Sequence, residues 1–80
     1  MMQMLSYRDR VAHYFRQRPG DWVDGLALEA IGGRYAWRSR VSDCRLELGM
    51  VIENRTRKVG AVTVSEYRYC PDRLPLEHSA

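Results

Sequence analysis

The spacing of the apolar residues changes at Gly49. Before it, apolar side chains recur with a period of about 3.6 residues, as on one face of a helix. After it, Met50, Ile52 and Asn54 alternate with Val51, Glu53 and Arg55, the period of a strand with one face on a core. A chain of 80 residues that makes this switch once is expected to be one α+β domain, helices first and strands last. Its core is small, so the large aromatic side chains must supply much of the burial. No apolar run exceeds three residues, as at Met50-Val51-Ile52, which excludes a membrane-spanning helix of the usual kind.

Three helices are predicted. Ser6 is placed to cap the first, with Asp9 at its positive end. Tyr7, Val11, Tyr14, Phe15 and Arg18 follow at helical spacing, while Arg8, Arg10, His13, Arg16 and Gln17 take the opposite side. Arg18-Pro19-Gly20 stops the helix, because proline disfavours helical geometry at the residue before it. Asp21-Trp22-Val23 is a short first strand or a turn anchored by Trp22. Asp24 then caps a second helix from Gly25 to about Ile31, broken by Gly32-Gly33. The third helix is predicted from Arg34 or Tyr35 to Leu48, with Trp37, Val41, Cys44 and Leu48 on its inner stripe. Gly49 sits at the left-handed position that ends a helix. Two helices joined by Gly-Gly are expected to form a helix-turn-helix.

Beyond Gly49 the prediction is a two-stranded hairpin. Thr56-Arg57-Lys58-Val59-Gly60 is its polar, basic turn, and the second strand ends at Tyr67-Arg68-Tyr69-Cys70 before Pro71. The alternation slips between Val64 and Tyr67, which predicts a bulge or a longer, mobile loop there. The expected organisation is an extension over 1–5, the folded domain over 6–70 and a tail over 71–80. Met1 to Leu5 is mildly apolar, but no long apolar region or cleavage site follows, so secretion is not expected.

Arg40-Val41-Ser42-Asp43-Cys44-Arg45, Gly49, Ile52-Glu53-Asn54-Arg55 and Tyr67-Arg68-Tyr69 together resemble a winged helix-turn-helix pattern. They are similar to a small helix-turn-helix family common in phage and prophage proteins, over roughly residues 7 to 70. Cys44 stands where that family usually has Leu, a mild change because a buried thiol behaves as a small hydrophobe. The resemblance implies three helices followed by a hairpin wing, and a DNA-binding role.

Charge points the same way. Twelve of the thirteen basic residues are Arg, and Arg34 to Lys58 carries seven basic and three acidic residues, a local excess of +4. The rest has six basic and seven acidic residues, or −1. Such asymmetry suits an anionic partner, most simply duplex DNA, although solvated arginines of an Arg-rich composition would give the same count. At about 100° per residue, Tyr35, Arg38, Ser39 and Ser42 point away from the inner stripe and are the candidate readers of base edges. Arg34 and Arg45 lie nearer the phosphates, and Arg55, Arg57 and Lys58 on the hairpin suit an adjacent minor groove or the backbone. Plainer readings stand beside these: Tyr35 covering the Gly-Gly turn, and Arg45 pairing with Asp43 or Glu47. Arg40 is expected to be structural, three residues before Asp43 and bridging helix to sheet. Leu46 is an isolated exposed leucine or part of a partner-binding patch.

No catalytic or metal site is expected. His13 lies on a polar face, His78 in the tail, and Cys44 and Cys70 lack the spacing of a zinc site. They fit a reducing cytoplasm, and if the last strand crosses the third helix they would meet as a buried thiol pair. Gly32-Gly33 lacks the remaining residues of a phosphate-binding loop, so no cofactor is expected. Ser39, Ser42, Asp43 and His13 do not form a triad, since Ser39 and Asp43 share one helix with no histidine beside them. Trp22, Trp37, Tyr67 and Tyr69 are expected in the core and not as base-stacking platforms. The function expected is therefore that of a small DNA-binding winged helix, a transcription regulator or a phage accessory factor, with a homodimer or partner to sharpen specificity. The alternative is a protein-interaction module of the same fold, such as a phage inhibitor of a host nucleic-acid machine as among anti-CRISPR proteins. The few Asn or Gln on the reading face favour that alternative. No small-molecule substrate and no membrane partner are expected.

Overall fold

The structure, a computed structural model, describes residues 5–73. Most of the predicted extension and tail, His78 included, lies outside them.

Helix α1 spans Tyr7–Arg16. The Ser6 hydroxyl accepts the Asp9 N–H at 3.1 Å, so the cap forms as the sequence requires. Val11, Ala12 and Phe15 are buried, whereas Tyr7 stays half exposed. After the helix, Gly20 turns at φ +79° and its N–H donates to the Tyr69 carbonyl, pinning this loop to the end of the last strand. Strand β1, Trp22–Asp24, resolves the choice between strand and turn. Helix α2, Gly25–Gly32, follows at once, with Asp24 Oδ1 accepting the Leu26 N–H at 2.8 Å. A Cβ on Gly32 would stand 2.8 Å from Val11 Cγ2 and 3.1 Å from Trp37 Cβ, so glycine lets the three helices close on one another.

Helix α3 is Trp37–Glu47 and starts later than predicted. Gly33, at φ +96°, redirects the chain, and Arg34, Tyr35 and Ala36 form a turn outside the helix. Trp37, Val41 and Cys44 are buried as the inner stripe predicts, and Leu48 packs against the core. Gly49 adopts φ +66°, and the N–H groups of Leu48 and Met50 both return to the Cys44 carbonyl.

Strands β2, Ile52–Val59, and β3, Val62–Tyr69, pair without interruption from Ile52↔Tyr69 to Val59↔Val62. This corrects two expectations. The turn is not Thr56 to Gly60 but Gly60-Ala61 alone, with Gly60 at φ +64° in the first turn position, the pattern of a type II′ hairpin. There is no slip between Val64 and Tyr67 either. Tyr67 and Tyr69 face the helices over the core, whereas from Ser65 outward the ribbon runs past it, so the apolar residues Val62 and Val64 take the other face without any break in register.

The antiparallel sheet has the order β1-β3-β2 and carries the helices on one face. Trp37 meets Tyr67 edge to face, ring centres 5.5 Å apart, in the middle of the core. Trp22 is a further correction: paired with Arg68, it is half-buried on the outer face, not in the core. The cysteines do not form a buried pair. Cys44 is buried with its thiol on the Arg8 carbonyl, while Cys70 is half-buried beside the Arg68 carbonyl. The whole is an α+β arrangement of three helices followed by an antiparallel hairpin, a winged-helix-like layout.

Candidate nucleic-acid interface

The predicted residues fall into three groups. Arg34 and Tyr35 lie on the turn before α3, and both are exposed. Tyr35 is 93% exposed, with the Arg34 guanidinium 5.7 Å from its ring centre, so it does not close over the Gly-Gly turn. Arg38, on the first turn of α3, lies over Trp37 at 4.6 Å. Stacking on the ring fixes the guanidinium while leaving its N–H edge open. Arg34 and Arg38 border a cleft of about 310 Å³ whose other side is the beginning of β3, from Val62 to Ser65. Helix start and hairpin thus share one surface.

The second group runs along α3. Ser39 is exposed and Ser42 half-buried. Arg45 donates from Nε and Nη2 to the Ile52 carbonyl at 3.0 and 2.7 Å, tying α3 to the first residue of β2. Neither acid proposed for it is engaged by it. Asp43 Oδ2 lies 2.9 Å from Arg40 Nε and Glu47 accepts from Arg8 at 2.8 Å. The Arg40 N–H is close to Asp43 without being aimed at it, so the contact is an ion pair and not a hydrogen bond. It stays within α3 and does not bridge to the sheet.

The third group is the hairpin, and there the register divides what the sequence placed together. Arg55 and Arg57 project from the outer face of the sheet, while Lys58 shares the other face with Asn54 and Ile52. On the outer face, Glu66 Oε1 accepts a hydrogen bond from Arg55 Nε at 2.9 Å and forms an ion pair with Arg57, whose Nε lies 3.2 Å away without being aimed at it. Glu53 accepts hydrogen bonds from Arg68 on Oε1 and from Arg73 on Oε2, and the Arg68 hydrogen bond in particular holds its carboxyl below the usual range. Trp22 joins the two clusters, with Arg55 4.0 Å and Arg68 4.6 Å from its ring. This array of Glu66, Trp22, Glu53 and Arg68 was missed in the sequence. The signal was the V-G-A-V turn, since counting outward from Gly60-Ala61 sets Glu66 opposite Arg55.

Among the described residues no group of three or more His, Cys, Asp or Glu is placed to hold a metal ion. No helix among them is long and apolar enough to cross a membrane.

A model of the family described as the KpnI N-terminal domain matches residues 8–70. The chain belongs to the KpnI N-terminal domain family. The match runs from the second residue of α1 to the residue after β3, so it takes in the whole sheet and all but the first helical residue. It covers nearly the stretch on which the sequence resembles the phage-type helix-turn-helix proteins, and the family it shows is the KpnI N-terminal domain. No curated protein and no solved structure matches the chain.

Proposed function

We propose that this KpnI N-terminal domain binds duplex DNA. The observation that carries the reading is the surface shared by the start of α3 and the hairpin. Arg34, Arg38 and Lys58 are exposed there and pair with no carboxylate among the described residues, within the segment that holds the chain's positive excess. Membership in a family named for a restriction enzyme supports a DNA-related role. In this reading Arg38, Ser39 and Ser42 approach base edges in the major groove, and Arg34 with Tyr35 meets the strand at the helix start. Arg55, Arg57 and Lys58 hold phosphates from the hairpin. The activity is binding and not catalysis. A small cytoplasmic regulator or a phage accessory factor would use it as a homodimer or beside a partner, and the two free thiols suit a reducing compartment.

A second reading, docking on a protein, draws on one observation. Leu26 and Val62, which line the cleft beside Arg34, and Tyr35, the next residue along from Arg34, are exposed at 71%, 62% and 93%. Titrating labelled protein with a random-sequence duplex at about 50 and then about 200 mM salt separates the two. Binding DNA shifts the resonances of residues 34–42 and 55–58, fades as salt rises and weakens with Arg38→Ala. An unperturbed spectrum at the lower salt, with the fold intact, rejects the DNA reading and leaves the protein partner.

A further inference from the structure

Glu66 is an acid in the wrong place for a surface that binds an anion. It sits on the outer face of β3 at the base of the projecting hairpin, yet its side chain is only 11% exposed. Arg55 stands directly across from it on β2, and Arg57 lies two residues nearer the hairpin tip on the same face. Both reach back to the one oxygen, Oε1, through Nε. Arg55 is held a second time, by the Trp22 ring 4.0 Å away. The two guanidiniums still remain open to solvent, Arg55 at 46% and Arg57 at 59% of side-chain exposure.

One carboxylate shared by two guanidiniums leaves a net positive charge and two sets of outward N–H donors. Arg55 is hydrogen-bonded and Arg57 ion-paired through Nε, so the Nη groups of both take no part in holding Glu66 and are left for phosphate oxygens. Long arginine side chains lose up to about 2 kcal/mol of rotamer freedom when ordered, a cost that falls on binding unless it is met beforehand. Here the folded chain meets part of it, for Arg55 through the Glu66 hydrogen bond and the Trp22 ring, and for Arg57 through the ion pair to the same oxygen.

We infer that Glu66 is a positioning residue: it holds Arg55 and Arg57 as a rigid pair on the outer face of the hairpin, aimed together at one phosphate-bearing strand of duplex DNA. The inference rests on the DNA-binding reading and adds to it a residue that itself touches no DNA. It also makes a prediction of unusual sign. Coulomb's law alone says that removing a negative charge beside DNA tightens binding. Positioning says that Glu66→Gln weakens it.

The test measures the affinity of the full chain for a random-sequence duplex across a salt series, with amide spectra to verify each fold. Positioning predicts that Glu66→Gln binds about three- to tenfold more weakly at low salt, and that its plot of log K against log salt is shallower by about 1 to 2. Glu66→Asp, which keeps the charge but withdraws the carboxylate, also weakens binding, and the Nε–H resonances of Arg55 and Arg57 lose their dispersion in both variants. In an Arg55→Ala/Arg57→Ala background, Glu66→Gln no longer weakens binding, since only the Coulomb effect of the lost carboxylate remains. Binding as tight as or tighter than wild type in Glu66→Gln, with wild-type affinity in Glu66→Asp, overturns the inference while leaving the DNA reading standing. If Glu66→Gln does not fold, Glu66→Asp and the arginine resonances decide the matter. A wild-type chain that ignores the duplex at about 50 mM salt overturns the DNA reading first, and the inference with it.

Discussion

Cys44 lies where α3 faces α1, and its thiol donates to the Arg8 carbonyl at 3.6 Å. Burial pushes that thiol up from an ordinary value of 9.0 to about 11, against the positive charge of Arg16, which pulls the other way. Since folding raises the thiol pKa, the stability tied to the protonated form is fully present below 9.0 and is lost as pH climbs through about 11. Reactivity follows the same logic, because the thiolate is the attacking species. With iodoacetamide at pH about 8, mass spectrometry should find Cys70 modified first and Cys44 protected until the chain is unfolded. Equal rates at the two sites in the folded protein would contradict the burial described for Cys44. The place of Cys44 was legible in the sequence, because a residue on an inner stripe needs only the helical period. Arg45 and Trp22 were not. The bond from Arg45 to the Ile52 carbonyl depends on how Gly49 turns the chain, and the position of Trp22 depends on its register with Arg68. Neither is a property of the local pattern.

The helices and the hairpin were legible to different degrees for the same reason. Caps are local: Ser6 and Asp24 each reach an N–H two or three residues away, so their helices begin where the sequence says. Helix α3 has no side-chain cap, and its start is set by Gly33 and by the packing of Trp37, so Arg34 and Tyr35 moved from helix to turn. In the hairpin the basic run Arg57-Lys58 resembles a turn in composition, but the backbone turns where a positive φ is cheap. Gly60 supplies it at +64°, and a Cβ there would meet nothing within 4 Å. The cost of Gly60→Ala is therefore conformational alone. A left-handed conformation costs an L-residue about 1–2 kcal/mol, partly offset because alanine also loses less freedom on folding. Urea denaturation should show Gly60→Ala less stable by about 1 kcal/mol, and Gly60→Asn less affected, since asparagine tolerates this region. A neutral Gly60→Ala would mean that the two-residue turn is not what sets the register of Arg55 against Glu66.

Across the whole molecule, charge and shape divide the surface. The outer sheet face neutralises itself in part, with Glu53 and Glu66 each shared by two arginines, while Arg34, Arg38 and Lys58 on the side of α3 have no such partners among the described residues. The +4 excess of the middle segment was therefore readable from the sequence as a quantity, but its division between two faces was not, because the faces are set by strand pairing. Taken together, the basic residues of both faces yield a number. If Arg34, Arg38, Arg55, Arg57 and Lys58 each displace one condensed counterion from B-DNA, log K should fall against log salt with a slope of about −4.5. Arg38→Ala should reduce the slope by about 0.9, as should Lys58→Ala, and neither should unfold the chain, since both side chains are exposed. Arg10→Ala on α1, whose guanidinium lies over Tyr7 at 5.3 Å, should leave the slope unchanged. An apparent slope near zero would mean that binding does not proceed by neutralising phosphates. A slope equally reduced by Arg10→Ala would mean that the charge acts as a diffuse cloud, and that α3 and the hairpin are not the docking surface.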